Sequence, residues 1–489
     1  MAEGAAKAPP ENGGGCDSGA GALERGVAPI KPQYLTTKEQ FHEFLEAKSQ
    51  EKPCRKTEVG DPGGNDLAEP EAKRIRLEDG QSAEGQMENR QTEDGQEEET
   101  AEPREQQQAQ KRARGQNKGR SHVKPTHYDK NRLCPSLIQL DIRGKLYLAP
   151  LTTCGNLPFR RICKRFGADV TCGEMAVCTN LLQGQMSEWA LLKRHQCEDV
   201  FGIQLEGAFP DTMTKCAELL NRTVEVDFVD INVGCPIDLV YKKGGGCALM
   251  NRLAKFQQIV RGMNQVLDVP LTVKIRTGVQ ERVNLAHRLL PELRDWGVAL
   301  VTLHGRSREQ RYTKLADWEY IAQCVKAASP MPLFGNGDIL SFEDANHAMQ
   351  TGVAGVMIAR GALLKPWLFT EIKEQRHWDI SSSERLDILR DFTNYGLEHW
   401  GSDTQGVEKT RRFLLQWLSF LCRYVPVGLL ERLPQRINER PPYYLGRDYL
   451  ETLMASQKAD DWIRISEMLL GPVPPNFTFL PKHKANAYK

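Results

Sequence analysis

The 489-residue chain has no CxxC pair and no cysteine–histidine set with zinc-ligand spacing, although it contains 13 cysteines. That absence predicts free thiols in a reducing compartment and no metal site. The N-terminus, MAEGAAKAPPENGGG, lacks the apolar core of a secretory signal. No apolar run approaches the roughly 20 residues of a membrane-spanning helix, so no membrane partner is expected. Net charge is almost absent, at +1. A general attraction to polyanions is thereby excluded, and any nucleic-acid contact must come from local basic patches. No GxGxxG opens the first strand–helix unit, which argues against a Rossmann dinucleotide site. Together these absences predict an intracellular protein of the cytoplasm, the nucleus or both.

Residues 1–139 are also poor in aromatics and rich in Gly, Pro, Glu, Gln, Lys and Arg. Such a segment buries too little apolar surface to offset its ordering entropy, so a largely disordered polar tail is expected. One exception is QYLTTKEQFHEFLEAKSQ (33–50), where Thr36 or Thr37 caps a short helix carrying Phe41, Phe44 and Leu45. A basic run, KRARGQNKGRSHVKPTHYDK (111–130), reads either as an RNA contact or nuclear address, or as a solvated tail.

Beyond residue 140 a short apolar strand recurs eight times with amphipathic segments between: 145–151, 169–175, 200–207, 228–234, 270–276, 299–306, 332–339 and 355–361. Strands alternating with helices imply a parallel sheet covered by helices. Eight of them over residues 140–378 predict an α/β fold, a (β/α)8 TIM barrel. After about Ser381 the strand signal stops. Three helical segments follow, so residues 379–475 read as a smaller all-α domain and 476–489 as a C-terminal tail. Ser381 or Ser382 is the expected cap of its first helix, ahead of Glu384. Trp417, Leu418, Phe420 and Leu421 read as core. Lys409, Arg411 and Arg412, with later arginines, read as an RNA-binding patch or as a solvated face.

Polar residues gather at the strand ends, where barrels of this kind keep their chemistry. The first strand ends in Pro150, Leu151 and Thr152. The third carries Gln204. The fourth leads through Asn232 to Cys235 in a Gly-Cys-Pro turn. Lys274 and Arg276 close the fifth, and His304 and Arg306 the sixth. Asn336, Gly337 and Asp338 close the seventh, and Ala359 and Arg360 the eighth. Packing alone prefers Val, Ile and Leu inside a barrel, so this set points to a site. The last two loops have the usual place of a phosphate site. Lys274 suits a redox cofactor that gains negative charge, and Gln204 its polar ring edge. A phosphorylated flavin fits both. Cys235 alone also reads as a buried core cysteine, and YKKGGGC (241–247) as a mobile lid or an ordinary flexible loop.

The motifs APLTTCGNLPFRR (149–161), DINVGCPID (230–238), VKIRTG (273–278), LHGR (303–306), GNGDI (335–339) and MIARGALLKPWLF (357–369) resemble the tRNA-dihydrouridine synthase family. The wording is nearest its eukaryotic branch acting on position 47 of tRNA. The resemblance implies FMN bound by Pro150, Leu151, Thr152, Gln204, Lys274, His304, Asn336, Gly337, Asp338, Ala359 and Arg360. It implies NADPH as reductant and Cys235 as the acid, with Asn232 beside the uracil and tRNA as partner; mRNA is left open as a second substrate. His304 or Arg306 is expected to steady the uracil carbonyl oxygen. Relatives of this branch carry CCCH zinc fingers ahead of the barrel; only Cys134 stands there in this chain. Two other readings remain: a flavin barrel acting on a free pyrimidine, and a catalytically silent RNA-binding adaptor.

Overall fold

The computed structural model describes residues 26–50, 140, 142–310 and 312–482. Eight parallel strands form the closed barrel: β1 (Leu146–Leu148), β2 (Val170–Cys172), β3 (Val200–Glu206), β4 (Phe228–Asn232), β5 (Leu271–Arg276), β6 (Leu300–His304), β7 (Leu333–Asn336) and β8 (Gly355–Ile358). Each pairs with its neighbours in sequence, and β8 returns to β1 with Leu148 opposite Ile358. A two-residue strand, Ala176–Val177, extends the end of β3. All eight strands expected from the sequence are present.

Side chains alternate across a strand, so every second residue faces the barrel interior. That parity runs from apolar to polar along the strands. Tyr147, Phe228 and Phe334 form an aromatic floor, with edge-to-face ring centroids 5.9 and 6.3 Å apart. A Cβ at Gly202 would stand 2.2 Å from the Phe228 ring, so β3 needs glycine there. Two residues beyond Phe228 comes Asp230, and two further Asn232. The same step leads from Phe334 to Asn336 and from Thr272 to Lys274. An apolar floor under a polar mouth places the reactive groups at the strands' C-terminal ends.

The helices Ser382–Trp400, Thr404–Leu421, Tyr449–Ala455 and Ala459–Leu470 form the C-terminal part. Ser381 caps the first in a reciprocal box with Glu384. Trp417 joins this part to the barrel. It is buried, donates Nε1–H to the carbonyl of Leu363 at 2.9 Å, and meets Phe159 edge-on at 5.2 Å. Such an aromatic pair contributes about 1 kcal/mol beyond its buried area.

The expected tail through residue 139 needs correction at residues 26–32, whereas the helix within 33–50 was expected. Residues 26–50 pack on the C-terminal part: the N–H of Ala28 donates to the carbonyl of Arg440 and that of Lys31 to Leu429. The helix Lys38–Gln50 follows, capped by Thr37, whose Oγ1 accepts from the N–H of Gln40. Phe41 and Leu45 are buried, and Phe41 lies 5.6 Å from Tyr443. The basic run 111–130 and Cys134 lie outside the described residues.

Candidate active site

Cys235 follows β4 by three residues and is 8% exposed. Asn232 builds its turn. The Asn232 Oδ1 accepts the N–H of Cys235 at 2.8 Å and of Gly234 at 3.1 Å. Its Nδ2 donates to Gln204 Oε1 at 2.8 Å. Burial raises the Cys235 pKa, with the Glu206 carboxylate adding to it, while the Ile237 N–H and the charges of Arg276 and Lys274 act the other way. The thiol is therefore protonated near neutral pH, with groups beside it that favour the thiolate once the proton has left.

The segment 241–247, read either as a mobile lid or as an ordinary flexible loop, is packed over its second half. Gly244 to Cys247 are buried, and the N–H of Cys247 donates to the carbonyl of Cys235. A Cβ at Gly245 would stand 2.0 Å from Glu206 Oε1, and Gly246 has φ +51°. The glycines let this segment pass close beneath the Cys235 turn, so it supports the thiol.

Lys274, Arg276, His304, Arg306 and Arg360 converge on the mouth. Burial, then the neighbouring Arg276, lowers the Lys274 pKa to about 8. Among the described residues, the one hydrogen-bond partner of its ammonium is Asn336 Oδ1, at 3.5 Å. Asn336 in turn donates Nδ2–H to Met357 at 2.8 Å, tying β7 to β8. Burial and nearby cations hold His304 neutral, well below its ordinary pKa. Burial lowers Arg360 to about 10, and its guanidinium meets Asp338 at 2.7 Å. An underpaired ammonium among arginines fits an anionic, hydrogen-bonding ligand, which a flavin mononucleotide is.

One sequence-based assignment changes, that of Arg306. The Asp338 carboxylate is taken up by protein donors: it accepts from Arg306 at 2.6 Å, from Arg360 and from the N–H of Ala316. Only its backbone remains for an anion, in a turn where Asp338 itself has φ +45°. Arg306 is fully buried and donates to the carbonyl of Lys314 as well as to Asp338. Its guanidinium anchors the 306–317 loop and does not reach toward a uracil. Pro150, Leu151 and Thr152 lie at the end of β1 as expected, with Thr152 exposed. Gly337 and Ala359 likewise lie at the ends of β7 and β8.

Three residues of the site escape a reading of the sequence. Glu174, two beyond β2, accepts the N–H of Thr153 at 2.7 Å and holds the first loop. Tyr312 covers the mouth: its ring stacks 6.0 Å from His304 and lies 4.5 Å from the Arg360 guanidinium. Its hydroxyl accepts from Arg276 at 3.3 Å. Asp230 accepts from Gln204 and Thr272 inside the barrel. The interior parity of β2 and β4 marks Glu174 and Asp230 in the sequence; nothing local marks Tyr312.

A family model described as dihydrouridine synthase (Dus) matches residues 147–418. The chain belongs to the dihydrouridine synthase family. A human relative named tRNA-dihydrouridine(47) synthase NAD(P)(+)-like is 67% identical over 660 residues, covering 100% of both chains. A Xenopus tropicalis relative of the same name is 55% identical over 641 residues, covering 97% of this chain and 98% of its own. Both alignments are longer than the 489 residues here, so these synthases carry residues that this chain lacks. Among solved structures, morphinone reductase in complex with tetrahydroNAD is 13% identical, with a TM-score of 0.36, over 49% of this chain and 89% of its own.

The basic patch of the C-terminal part divides in two. Lys409 and Arg412 lie on the outer face of their helix, and Arg432, Arg436 and Arg440 lie beyond it. Arg411 is buried, with its guanidinium engaged by Glu408, Ser466 and the carbonyls of residues 470–472. It belongs to the packing and not to an RNA-facing surface. Reversal of Lys409 and Arg412 to Glu is expected to weaken tRNA binding and flatten its salt dependence, by roughly one unit of log–log slope for each phosphate no longer neutralised. Filter binding at several salt concentrations checks this; unchanged slope and affinity assign both residues to a solvated face.

Proposed function

We propose that this chain is a flavin-dependent oxidoreductase that reduces the C5=C6 bond of a uridine in tRNA, with NADPH as electron source. Position 47 is the one that its relatives' names carry. The observation that supports this best is a protonated thiol, Cys235, held by Asn232 at the end of β4 on the same mouth as the underpaired Lys274.

FMN held by Lys274, Asn336 and Arg360 would supply hydride chemistry at C6 of the uracil, where conjugation to the C4 carbonyl makes the ring an acceptor. Negative charge then grows at C5 and the carbonyl oxygen. Cys235 donates its proton to C5, which completes the addition of two hydrogens. The Ile237 N–H, Arg276 and Lys274 favour the thiolate that remains, and solvent reprotonates it. Lys274, with one long hydrogen bond to Asn336 among the described residues, is a cation available to developing negative charge in the mouth. Arg360 holds the phosphate end, positioned by Asp338. The base must leave the RNA stack to reach this mouth, and arginines at the surface of the C-terminal part hold the backbone while it does.

The test is anaerobic reoxidation of the NADPH-reduced protein by tRNA and, separately, by free uridine. The reading requires oxidation by tRNA and little by uridine. Equal rates favour an enzyme of free pyrimidines, and oxidation by neither favours an RNA-binding adaptor. Arg360→Ala is expected to raise the FMN dissociation constant about ten- to a hundredfold, the effect of losing a charged hydrogen bond. Flavin fluorescence titration measures it, and an unchanged constant rejects the phosphate assignment.

A further inference from the structure

Asp230 is a carboxylate sealed inside the barrel, 3% exposed, and the chemistry above gives it no direct part. Its Oδ2 accepts from Gln204 Nε2 at 2.8 Å and its Oδ1 from Thr272 Oγ1 at 2.6 Å. Gln204 and Thr272 stand beside it on β3 and β5, in register. Gln204 then accepts from Asn232, and Asn232 accepts the two backbone N–H groups of the Cys235 turn. The chain runs from a buried carboxylate through two side-chain amides to the turn that carries the thiol.

We propose that Asp230 is a positioning residue that sets the orientation of the Gln204 and Asn232 amides, and through them the turn presenting Cys235. An ionised carboxylate only accepts hydrogen bonds, whereas an amide accepts at one end and donates at the other. With Asp230 accepting, Gln204 must turn its NH2 downward and its oxygen toward Asn232. Asn232 must then turn its NH2 to Gln204 and its oxygen to the N–H groups of Gly234 and Cys235. Reversing the first amide reverses the second, and the NH2 of Asn232 then faces two donors. A buried backbone donor without a partner is costly. The fixed polarity of Asp230 therefore excludes an arrangement that opens the Cys235 turn. It also leaves Gln204 held in one orientation toward any ligand in the mouth.

The groups facing Asp230 are the Tyr147 phenol from β1, the Cys172 thiol from β2 and the Lys274 ammonium from β5. Burial raises the Asp230 pKa to about 6, against the two hydrogen bonds and Lys274, which lower it. The carboxylate is thus present above about pH 6. Below it, a protonated Asp230 can donate, and the reversed arrangement competes.

The full-length protein tests this without substrate. Alkylation of Cys235 by iodoacetamide, followed peptide by peptide in a mass spectrometer, reports opening of the turn. Asp230→Asn lets both amide orders form, and Cys235 alkylation should rise about tenfold, the weight of one buried hydrogen bond. Adding Gln204→Glu gives Asn232 an acceptor again, with the Asn at 230 as donor, and should return alkylation to near the wild-type rate. Unchanged alkylation in a folded Asp230→Asn protein overturns the proposal, and so does a double variant no slower than the single. Hydrogen exchange on the wild-type chain needs no variant. Protection of the Gly234–Cys235 amides, corrected for intrinsic exchange, should fall as pH drops through about 6; constant protection contradicts the relay. The consequence for reduction rests on Cys235 being the donor, but neither readout does, so the two ideas fail separately.

Discussion

Cys235→Ala should leave reduction of the flavin by NADPH close to the normal rate and slow its reoxidation by tRNA by about 10²-fold or more, the usual effect of losing a positioned acid. The asymmetry follows from the geometry. The thiol is held by Asn232 through backbone N–H groups, so deleting the sulfur leaves the turn in place. Lys274, Asn336 and Arg360 belong to other strands and are not touched by the change. NADPH delivers its hydride without needing an acid at uracil C5, whereas the tRNA step does need one. A cysteine that only filled space would cost on the order of 1 kcal/mol of stability and leave both steps alike. Anaerobic stopped-flow separates the steps. Equal slowing of both, or of neither, rejects Cys235 as the donor.

Arg411→Glu should lower the apparent melting temperature by on the order of 10 °C, where Arg412→Glu should change it little. Arg411 ties the helix Thr404–Leu421 to the end of the helix Ala459–Leu470. Its Nη1 donates to Ser466 at 3.0 Å, its Nη2 to the carbonyl of Gly471 at 3.1 Å, and its Nε to Glu408 at 3.0 Å. Carbonyls at a helix C-terminus lack partners of their own and favour a cation. Reversal would bury a carboxylate against those acceptors and beside Glu408. Removing one member of a buried ion pair costs about 3–5 kcal/mol. Arg412 is exposed and stands outside this cluster. Melting of the two variants side by side is the check; equal effects would return Arg411 to the surface patch.

Arg411 also shows where the sequence was legible and misread. Leu414, Leu415 and Leu418 follow it at helical spacings of three, four and seven, so the apolar stripe itself contains this arginine. Counting charges hid the stripe; periodicity exposes it. The barrel was plain for the opposite reason. Each strand is short and apolar, each ends in a polar cluster, and the closed ring brings those clusters together. What local sequence cannot give is the division of labour among them. Arg306, Asp338 and Arg360 come from three successive strand ends, and only closure makes one carboxylate serve both arginines. Residues 26–32 carried no signal because their partners, Leu430 and Arg440, lie far along the chain. Tyr312 sits in a loop without periodicity, and its contacts with His304 and Arg360 are likewise tertiary.

The most direct measurement is a map of dihydrouridine in unmodified tRNA incubated with the purified full-length chain, FMN and NADPH. Digestion and mass spectrometry count the dihydrouridine and locate it. The account predicts one NADPH-dependent dihydrouridine at position 47, absent with Cys235→Ala on the same timescale. A chain that binds FMN, oxidises NADPH and leaves every uridine of the tRNA unreduced would contradict it.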